Sequence, residues 1–284
     1  MTAVTEDVRI GETLVRLEHV YKVYRIADTG VAALGGVTFD VARGEFIAVV
    51  GPSGSGKSSI LNLVGGLDRP TAGTVEVAGL DLGRLSDDEL TEYRKDRVGF
   101  VWQGTARNLV PYLNVAENVD LPLLATDRAA GDRHTRVGAL LEMVGLSDRA
   151  DNLPWMLSGG EQQRAAVAVA LANLPSVVLA DEPTAELDSA SGERVLDAFR
   201  AACADFGTTV LMVTHDLLAA ARADRTLRLL DGRIRHAPQP GRVDEAGNLV
   251  VPDEVLSALS GSELDVEMTE GEVRIRKRRE QKYG

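Results

Sequence analysis

The sequence is poor in residues that would staple it or anchor it. Among 284 residues there is one cysteine, Cys203, and aromatic side chains make up 4%. A single thiol excludes an intramolecular disulfide and a cysteine-built zinc cluster, and fits a reducing compartment. Cys203 reads as a packing residue on a helix around Val195 to Ala204. Long apolar runs are missing too: the longest, Ala165 to Leu171, is far short of the roughly 18 to 20 residues that span a bilayer. Met1 to Glu12 lacks the apolar core of a secretory signal, so export is not expected and work at a membrane would require docking onto something else. Positive charge is also in deficit. With 31 Lys and Arg against 43 Asp and Glu, and a net charge of -12, the surface has no general attraction to nucleic acid, which is not expected as a partner.

What is present is organised as α/β. Leu14-Val15-Arg16-Leu17 and Thr38-Phe39-Asp40-Val41 alternate apolar and polar residues, the pattern of half-buried antiparallel strands. Phe46 to Val50, Val177 to Ala180 and Val210 to Val213 are continuous apolar runs, as strands covered on both faces require, and predict a central parallel sheet. Between about residues 88 and 165 the period becomes helical, with Val137, Leu140, Leu141 and Val144 on one face, which predicts an inserted helical subdomain. Arg235 to Gly241 carries two prolines and a glycine, so one domain is expected over 14–236, a linker over 237–241 and a further module beyond it.

The chemistry begins at Gly51-Pro52-Ser53-Gly54-Ser55-Gly56-Lys57-Ser58, followed by Ser59. An apolar strand precedes it and a helical run follows, the context of a phosphate-binding loop. Its glycines let successive backbone N–H groups and a helix N-terminus point at an anion. Lys57 is expected on the β and γ phosphates of ATP and Ser58 on Mg²⁺. The second apolar strand ends in Asp181 and Glu182: the first is a candidate for the Mg²⁺ shell, the second for orienting or deprotonating the attacking water.

Many nucleotide hydrolases share those two features, so the class rests on Leu157-Ser158-Gly159-Gly160-Glu161-Gln162-Gln163-Arg164. This segment resembles the ABC signature motif. Ser158, Gly159, Gly160 and Glu161 also read as a plainly capped helix start, and both readings can hold together. Gln103 after strand Val98 to Val101, the Ala185-Glu186-Leu187-Asp188 loop and His215 after strand Val210 to Val213 appear in the order of that family. The resemblance implies an ABC ATPase domain: a mainly parallel sheet, an antiparallel β layer and a helical subdomain. It implies a homodimer in which each signature closes over ATP held by the partner's phosphate loop. Gln103 would join Ser58 and Asp181 around Mg²⁺ and report to a membrane partner, Asp188 would bridge the seam, and His215 would contact γ-phosphate and position the water of Glu182. Tyr24 is similar to the aromatic on which the family stacks adenine, with Tyr21 close by, while Trp102 reads as packing. A cytoplasmic subunit, peripheral on the inner face of the membrane beneath a separately encoded integral-membrane permease, is what the resemblance implies.

Gly65 to Pro70, Leu85 to Leu90 and Arg97 to Val101 are similar to the macrolide-export and lipoprotein-release branch (MacB- and LolD-like). Gly104-Thr105-Ala106-Arg107 and Glu186 depart from it, which bears on partner identity. Beyond the linker, residues 242–279 read as a small β-rich module similar to the AbrB-type swapped hairpin. It has a short helix at Asp253 to Leu259 and a hairpin turning at Glu270-Gly271. That turn sets Met268 opposite Val273, Val266 opposite Ile275, Glu267 opposite Arg274 and Asp265 opposite Arg276. The basic end, Arg276 to Arg279 with Lys282, including residues 280–284, reads either as a solvated terminus or as a contact for anionic lipid headgroups. Two rival functions remain at this level: a soluble ABC ATPase acting on DNA or ribosomes, and a nucleotide-dependent regulator whose output is the tail.

Overall fold

The computed structural model describes residues 12–26, 29–104, 107–125 and 130–235, and the strand segments 242–243, 249–250, 264–269 and 272–277. The chain divides into two units, Met1–Arg235 and His236–Gly284.

The first unit opens with β1 (Thr13–Ile26), β2 (Thr29–Ala42) and β3 (Phe46–Val50), then α1 (Lys57–Val64), β4 (Ala72–Val77) and β5 (Leu80–Asp81). Next come α2 (Asp87–Arg97), β6 (Val98–Val101), α3 (Val115–Asp120), α4 (Ala130–Met143) and α5 (Gly159–Leu171). It closes with β7 (Val177–Asp181), α6 (Ser189–Phe206), β8 (Thr209–Thr214), α7 (Leu217–Ala220), β9 (Arg225–Leu230) and β10 (Arg233–Arg235). One sheet, ordered β2-β1-β4-β5, is antiparallel; Arg16 lies opposite Asp40 and Leu17 opposite Phe39, as the alternation predicts. The other is ordered β10-β9-β3-β8-β7-β6, with every neighbouring pair from β9 to β6 parallel.

The apolar runs of this second sheet have a plain cause. Phe46, Ala48 and Val50 of β3 join a core beneath α3 to α6, while Ile47 and Val49 join a core on the opposite face with α1, α2 and the antiparallel sheet. Both faces are covered, so neither can be polar. Within the stretch expected as helical over 88–165, the strand expected at Val98 to Val101 is β6, an edge strand paired with β7. The helices inserted between core strands are therefore α3 to α5, and Val137, Leu140, Leu141 and Val144 are buried there as their spacing predicts. Cys203 lies on α6 against that core, where burial first, then nearby Asp224, pushes its thiol up to about 12. No described helix is long and apolar enough to cross a membrane.

In the second unit β11 (Arg242–Val243) pairs with β12 (Leu249–Val250), and β13 (Leu264–Thr269) with β14 (Glu272–Lys277). The β13–β14 register sets Met268 opposite Val273, Val266 opposite Ile275, Glu267 opposite Arg274 and Asp265 opposite Arg276, as read from the sequence. The linker 237–241, the helix at Asp253 to Leu259, the Glu270-Gly271 turn and the basic end at 278–284 lie outside the described residues.

Candidate functional site: a phosphate-binding loop at the sheet edge

Strand order explains why distant residues meet. In an open parallel sheet, ligands bind beyond the carboxyl ends of the strands. Here the phosphate loop follows β3, His215 follows β8, Asp181 ends β7 with Glu182 after it, and Gln103 follows β6. Since β3, β8, β7 and β6 are successive neighbours, all four groups fall in one row. They line a cavity of about 600 Å³ with Pro52, Ser53, Gly54, Gly56, Lys57, Ser58, Ser59 and Ala33.

The loop is shaped by its backbone. Gly56, the residue before α1, has φ +103°, and a Cβ there would lie 2.5 Å from the carbonyl of Ala33, so only glycine starts this helix without a clash. Lys57 Nζ donates to the carbonyls of Gly51 at 2.7 Å and Pro52 at 3.1 Å, which holds the loop curled and its ammonium at the cavity. Ser55 is buried and its Oγ has no hydrogen-bond partner. The loop residues Ser53, Gly54, Gly56 and Ser58 line the cavity at the start of α1, a placement that suits an anion.

Two carboxylates face that loop. Ser58 Oγ donates to Asp181 Oδ2 at 3.1 Å. Burial raises the Asp181 carboxyl above its ordinary value, and the charge of Glu182 adds to this against the opposing hydrogen bond from Ser58. A cation would offset that cost. Among the described residues no cluster of three or more His, Cys, Asp or Glu side chains could hold a metal alone. The hard oxygens of Ser58 and Asp181, with Gln103 on the same cavity, suit a Mg²⁺ ion that completes its shell with phosphate oxygens and water.

Glu182 is fixed more tightly. Its backbone has φ +46°, a left-handed conformation costly for a residue with a side chain. Its N–H nevertheless donates to the Val213 carbonyl at 2.9 Å, tying it to β8. Oε2 accepts from Thr214 Oγ1 at 2.9 Å and from the His215 N–H at 3.2 Å, with His215 Nδ1 at 3.0 Å. Oε1 lies 3.7 Å from Lys57 Nζ. A carboxylate so held beside a phosphate cradle can align a water and accept its proton.

A family model described as ABC transporter matches residues 34–185, more than half of the chain. The chain belongs to the ABC transporter family. An uncharacterised ABC transporter ATP-binding protein of Thermotoga maritima is 44% identical over 230 residues, 81% of this chain and 97% of that protein. The macrolide export ATP-binding/permease protein MacB of Salmonella choleraesuis is 44% identical over 225 residues, 79% of this chain but 34% of that longer protein. Among solved structures, a dimeric post-hydrolysis state of the ATP-binding cassette MJ0796 bound to ADP and Pi aligns with a TM-score of 0.71 and 41% identity, covering 78% of this chain and 97% of that one. The chain is thus an ABC ATPase domain related to the MacB and MJ0796 cassettes. These matches lend no support to likening residues 242–279 to an AbrB-type module.

The remaining expected residues lie elsewhere. Ser158 caps α5 and Glu161 closes the box: Glu161 N–H donates to Ser158 Oγ at 3.3 Å, and Ser158 N–H and Oγ donate to Glu161 Oε2, each at 2.8 Å. None of Ser158, Gly159, Gly160, Glu161 or Asp188 lines the phosphate cavity. They are neighbours of one another instead. A Cβ on Gly160 would meet Ser191 at 2.7 Å, and Asp188, the N-cap of α6, accepts from the Ser191 N–H at 2.9 Å. Tyr24 does not line the cavity either, but its OH lies 3.4 Å from Ser59 Oγ, whereas Tyr21 is 46% exposed. Trp102 stacks on Phe100 with ring centroids 4.6 Å apart, which is packing. Three further groups belong to no motif in the sequence: Thr214, which anchors Glu182; Ala33, which closes the cavity wall; and Asn108, which clamps the Trp102 backbone at 2.7 and 2.8 Å beside Gln103.

Proposed function

We propose that two copies of this chain sandwich two Mg-ATP molecules and hydrolyse them, and that closing and reopening of the pair drives a separately encoded integral-membrane permease in export, extraction or mechanotransmission. The observation that carries the reading is the anchoring of Glu182 by Thr214 and His215 beside Lys57. The placement of Ser158 to Glu161 outside that cavity supports a second chain as the source of the signature contact. The MJ0796 cassette, dimeric with ADP and Pi, supports the same reading.

In this scheme Lys57 and the loop N–H groups bind the β and γ phosphates, and Tyr24 stacks the adenine. Ser58, Asp181 and Gln103 hold Mg²⁺, which when bound offsets charge on the phosphate oxygens. Glu182 aligns a water on the γ-phosphorus; as the new P–O bond forms, the bond to the bridging oxygen breaks and ADP leaves with that electron pair. Glu182 takes the water's proton, and His215 steadies both Glu182 and the γ-phosphate. Asp188, beside the signature, faces the seam. Exposed Tyr112 (79%) and Trp155 (73%), both between β6 and α5, offer apolar surface for the permease. The pair works in the cytoplasm on the inner membrane face, and residues 242–279 form a module that keeps two copies close between cycles. The anionic-lipid role for the basic end belongs with that membrane placement.

The test is Mg-dependent phosphate release by the full chain and by Glu182→Gln, with molecular mass measured in ATP. The reading requires turnover to fall at least about 100-fold in the variant while ATP draws it into a dimer. Undiminished turnover would overturn it. Deleting residues 238–284 should weaken dimerisation and leave nucleotide binding intact.

A further inference from the structure

Lys22 and Asp68 take no step in that scheme, yet both are wired to it. Lys22 lies on β1 at the same inward parity as Val20 and Tyr24, and only 9% of it is exposed, so its charge requires a partner. Nζ donates to Asp68 Oδ1 at 2.6 Å and to the Arg69 carbonyl at 2.9 Å, and sits 4.9 Å from the centroid of the Tyr24 ring. Asp68 belongs to the turn that ends the phosphate helix: the N–H groups of Leu67 and Asp68 both donate to the Asn62 carbonyl of α1. Burial works to raise the Asp68 carboxyl, but hydrogen bonds from Lys22 and the Arg69 N–H outweigh it and hold it below its ordinary value.

The same turn is strapped to β1 on both sides of Lys22. Thr71 N–H donates to the Tyr21 carbonyl at 2.8 Å, and Val23 N–H donates to Thr71 Oγ1 at 3.0 Å. With Tyr24 OH beside Ser59 Oγ at 3.4 Å, the contacts form a closed circuit from α1 through its terminal turn and Lys22 to Tyr24, and back to α1. The ammonium occupies one face of the Tyr24 ring. Tyr24 is half-buried, and in the stacking reading the base takes the face that the ammonium does not. A cation on the first face draws π-density away from the second and holds the ring at one tilt. An apolar residue at position 22 would fill the space without setting that tilt.

We propose that the Lys22–Asp68 ion pair is a positioning device for the nucleobase. It locks the Tyr24 ring from behind and fixes its spacing from the helix that carries Lys57 and Ser58. The base and the triphosphate are then received at one preset separation, and the ordering is completed on folding instead of on binding. This rests on the reading that Tyr24 stacks the base of ATP. Lys22 and Asp68 need not touch the nucleotide themselves.

The experiment titrates the full chain with ATP and, separately, with inorganic tripolyphosphate, which has phosphates but no base. Lys22→Met, Asp68→Asn, the double variant, Lys22→Arg and Tyr24→Ala are compared, with KM and kcat read alongside. Lys22→Met and Asp68→Asn should each raise the Kd and KM for ATP about three- to tenfold, with the larger change in KM than in kcat and tripolyphosphate affinity held within twofold. The double variant should be no worse than the worse single, and Lys22→Arg should recover most of the loss. Equal weakening of ATP and tripolyphosphate would mean that the pair merely supports the loop, and would overturn the proposal. Parent-like ATP affinity in Lys22→Met and Asp68→Asn, with Tyr24→Ala weakened, would overturn it while sparing the stacking role. Parent-like ATP affinity in Tyr24→Ala would remove the stacking role and the proposal together.

Discussion

Glu182 and Glu161 are both carboxylates expected to work beside bound phosphate, and they are held in opposite ways. Glu182 takes its partners from another strand: Thr214 and His215 of the β8 end grip one oxygen, and Lys57 approaches the other at 3.7 Å. Its left-handed backbone persists because the sheet around it leaves no alternative. Glu161 takes its two shortest contacts from its own helix start, both Ser158 donors at 2.8 Å, and a third at 3.2 Å from Arg149, which precedes that helix. One site is assembled by tertiary structure within a single chain. The other is a finished helix start whose hydroxyl is already engaged locally and which lies away from the cavity; in the proposed dimer it would serve the partner's nucleotide.

The sharpest way to break this contrast is to remove the group central to the first corner. Lys57→Met deletes the ammonium that curls the loop and meets the phosphates; losing two or three charge-assisted hydrogen bonds should cost ATP affinity about 100-fold or more. Ser158→Ala, titrated at concentrations too low for pairing, should cost less than twofold. Comparable losses in the two variants would mean that the signature serves its own chain's nucleotide, and the contrast would collapse.

Thr214→Val probes the anchoring itself. It conserves volume and removes the 2.9 Å donor to Glu182 together with the acceptor of the Asp216 N–H at 3.0 Å, so one hydrogen bond to a charged group and one to backbone are lost. Turnover should drop about tenfold, with ATP affinity changed far less, because Glu182 swings while the cradle stays. A single-turnover measurement with saturating ATP separates the two effects. If KM rose tenfold and the rate held, Glu182 would be a binding group.

The difference in how the corners are built also explains what could be read ahead of the structure. The phosphate loop, the signature box and the β13–β14 register are encoded by neighbours in sequence: glycines fix backbone conformation, Ser158 and Glu161 find each other three residues apart, and alternation fixes a hairpin's pairing. Thr214 was hidden because its partner is 32 residues away, though a hydroxyl ending the otherwise apolar run of β8 is the signal that marks it. Lys22 was hidden for the same reason, its partner lying 46 residues on. The signal there is a lysine on the inward parity of β1. The strand at Val98 to Val101 was legible in its apolar run, while its place at the sheet edge beside β7 has a tertiary cause. Whether Gln103, Asp188 and the signature act together depends on a partner's position, which no single chain encodes.

The smallest effect tests the local side of the contrast through pH. Hydrogen bonds from the Ser158 backbone and then its hydroxyl hold the Glu161 carboxyl below its ordinary value of 4.5 against the opposing effect of burial, with a smaller contribution from Arg149. A depressed carboxyl contributes stability that is complete above the unfolded-state value and drains away as pH falls through the folded one. Glu161→Gln should therefore lower Tm by a constant amount from neutrality to about pH 5, and the gap to the parent should narrow below that. Glu89 makes the same box with Ser86 at the start of α2, and its carboxyl is likewise depressed, first by the Ser86 backbone. Glu89→Gln should follow the same pH course. Only Glu161→Gln should also slow ATP turnover. A gap that held its size through acid would show that the charge of Glu161 contributes nothing to this helix start, and the local side of the contrast would be lost.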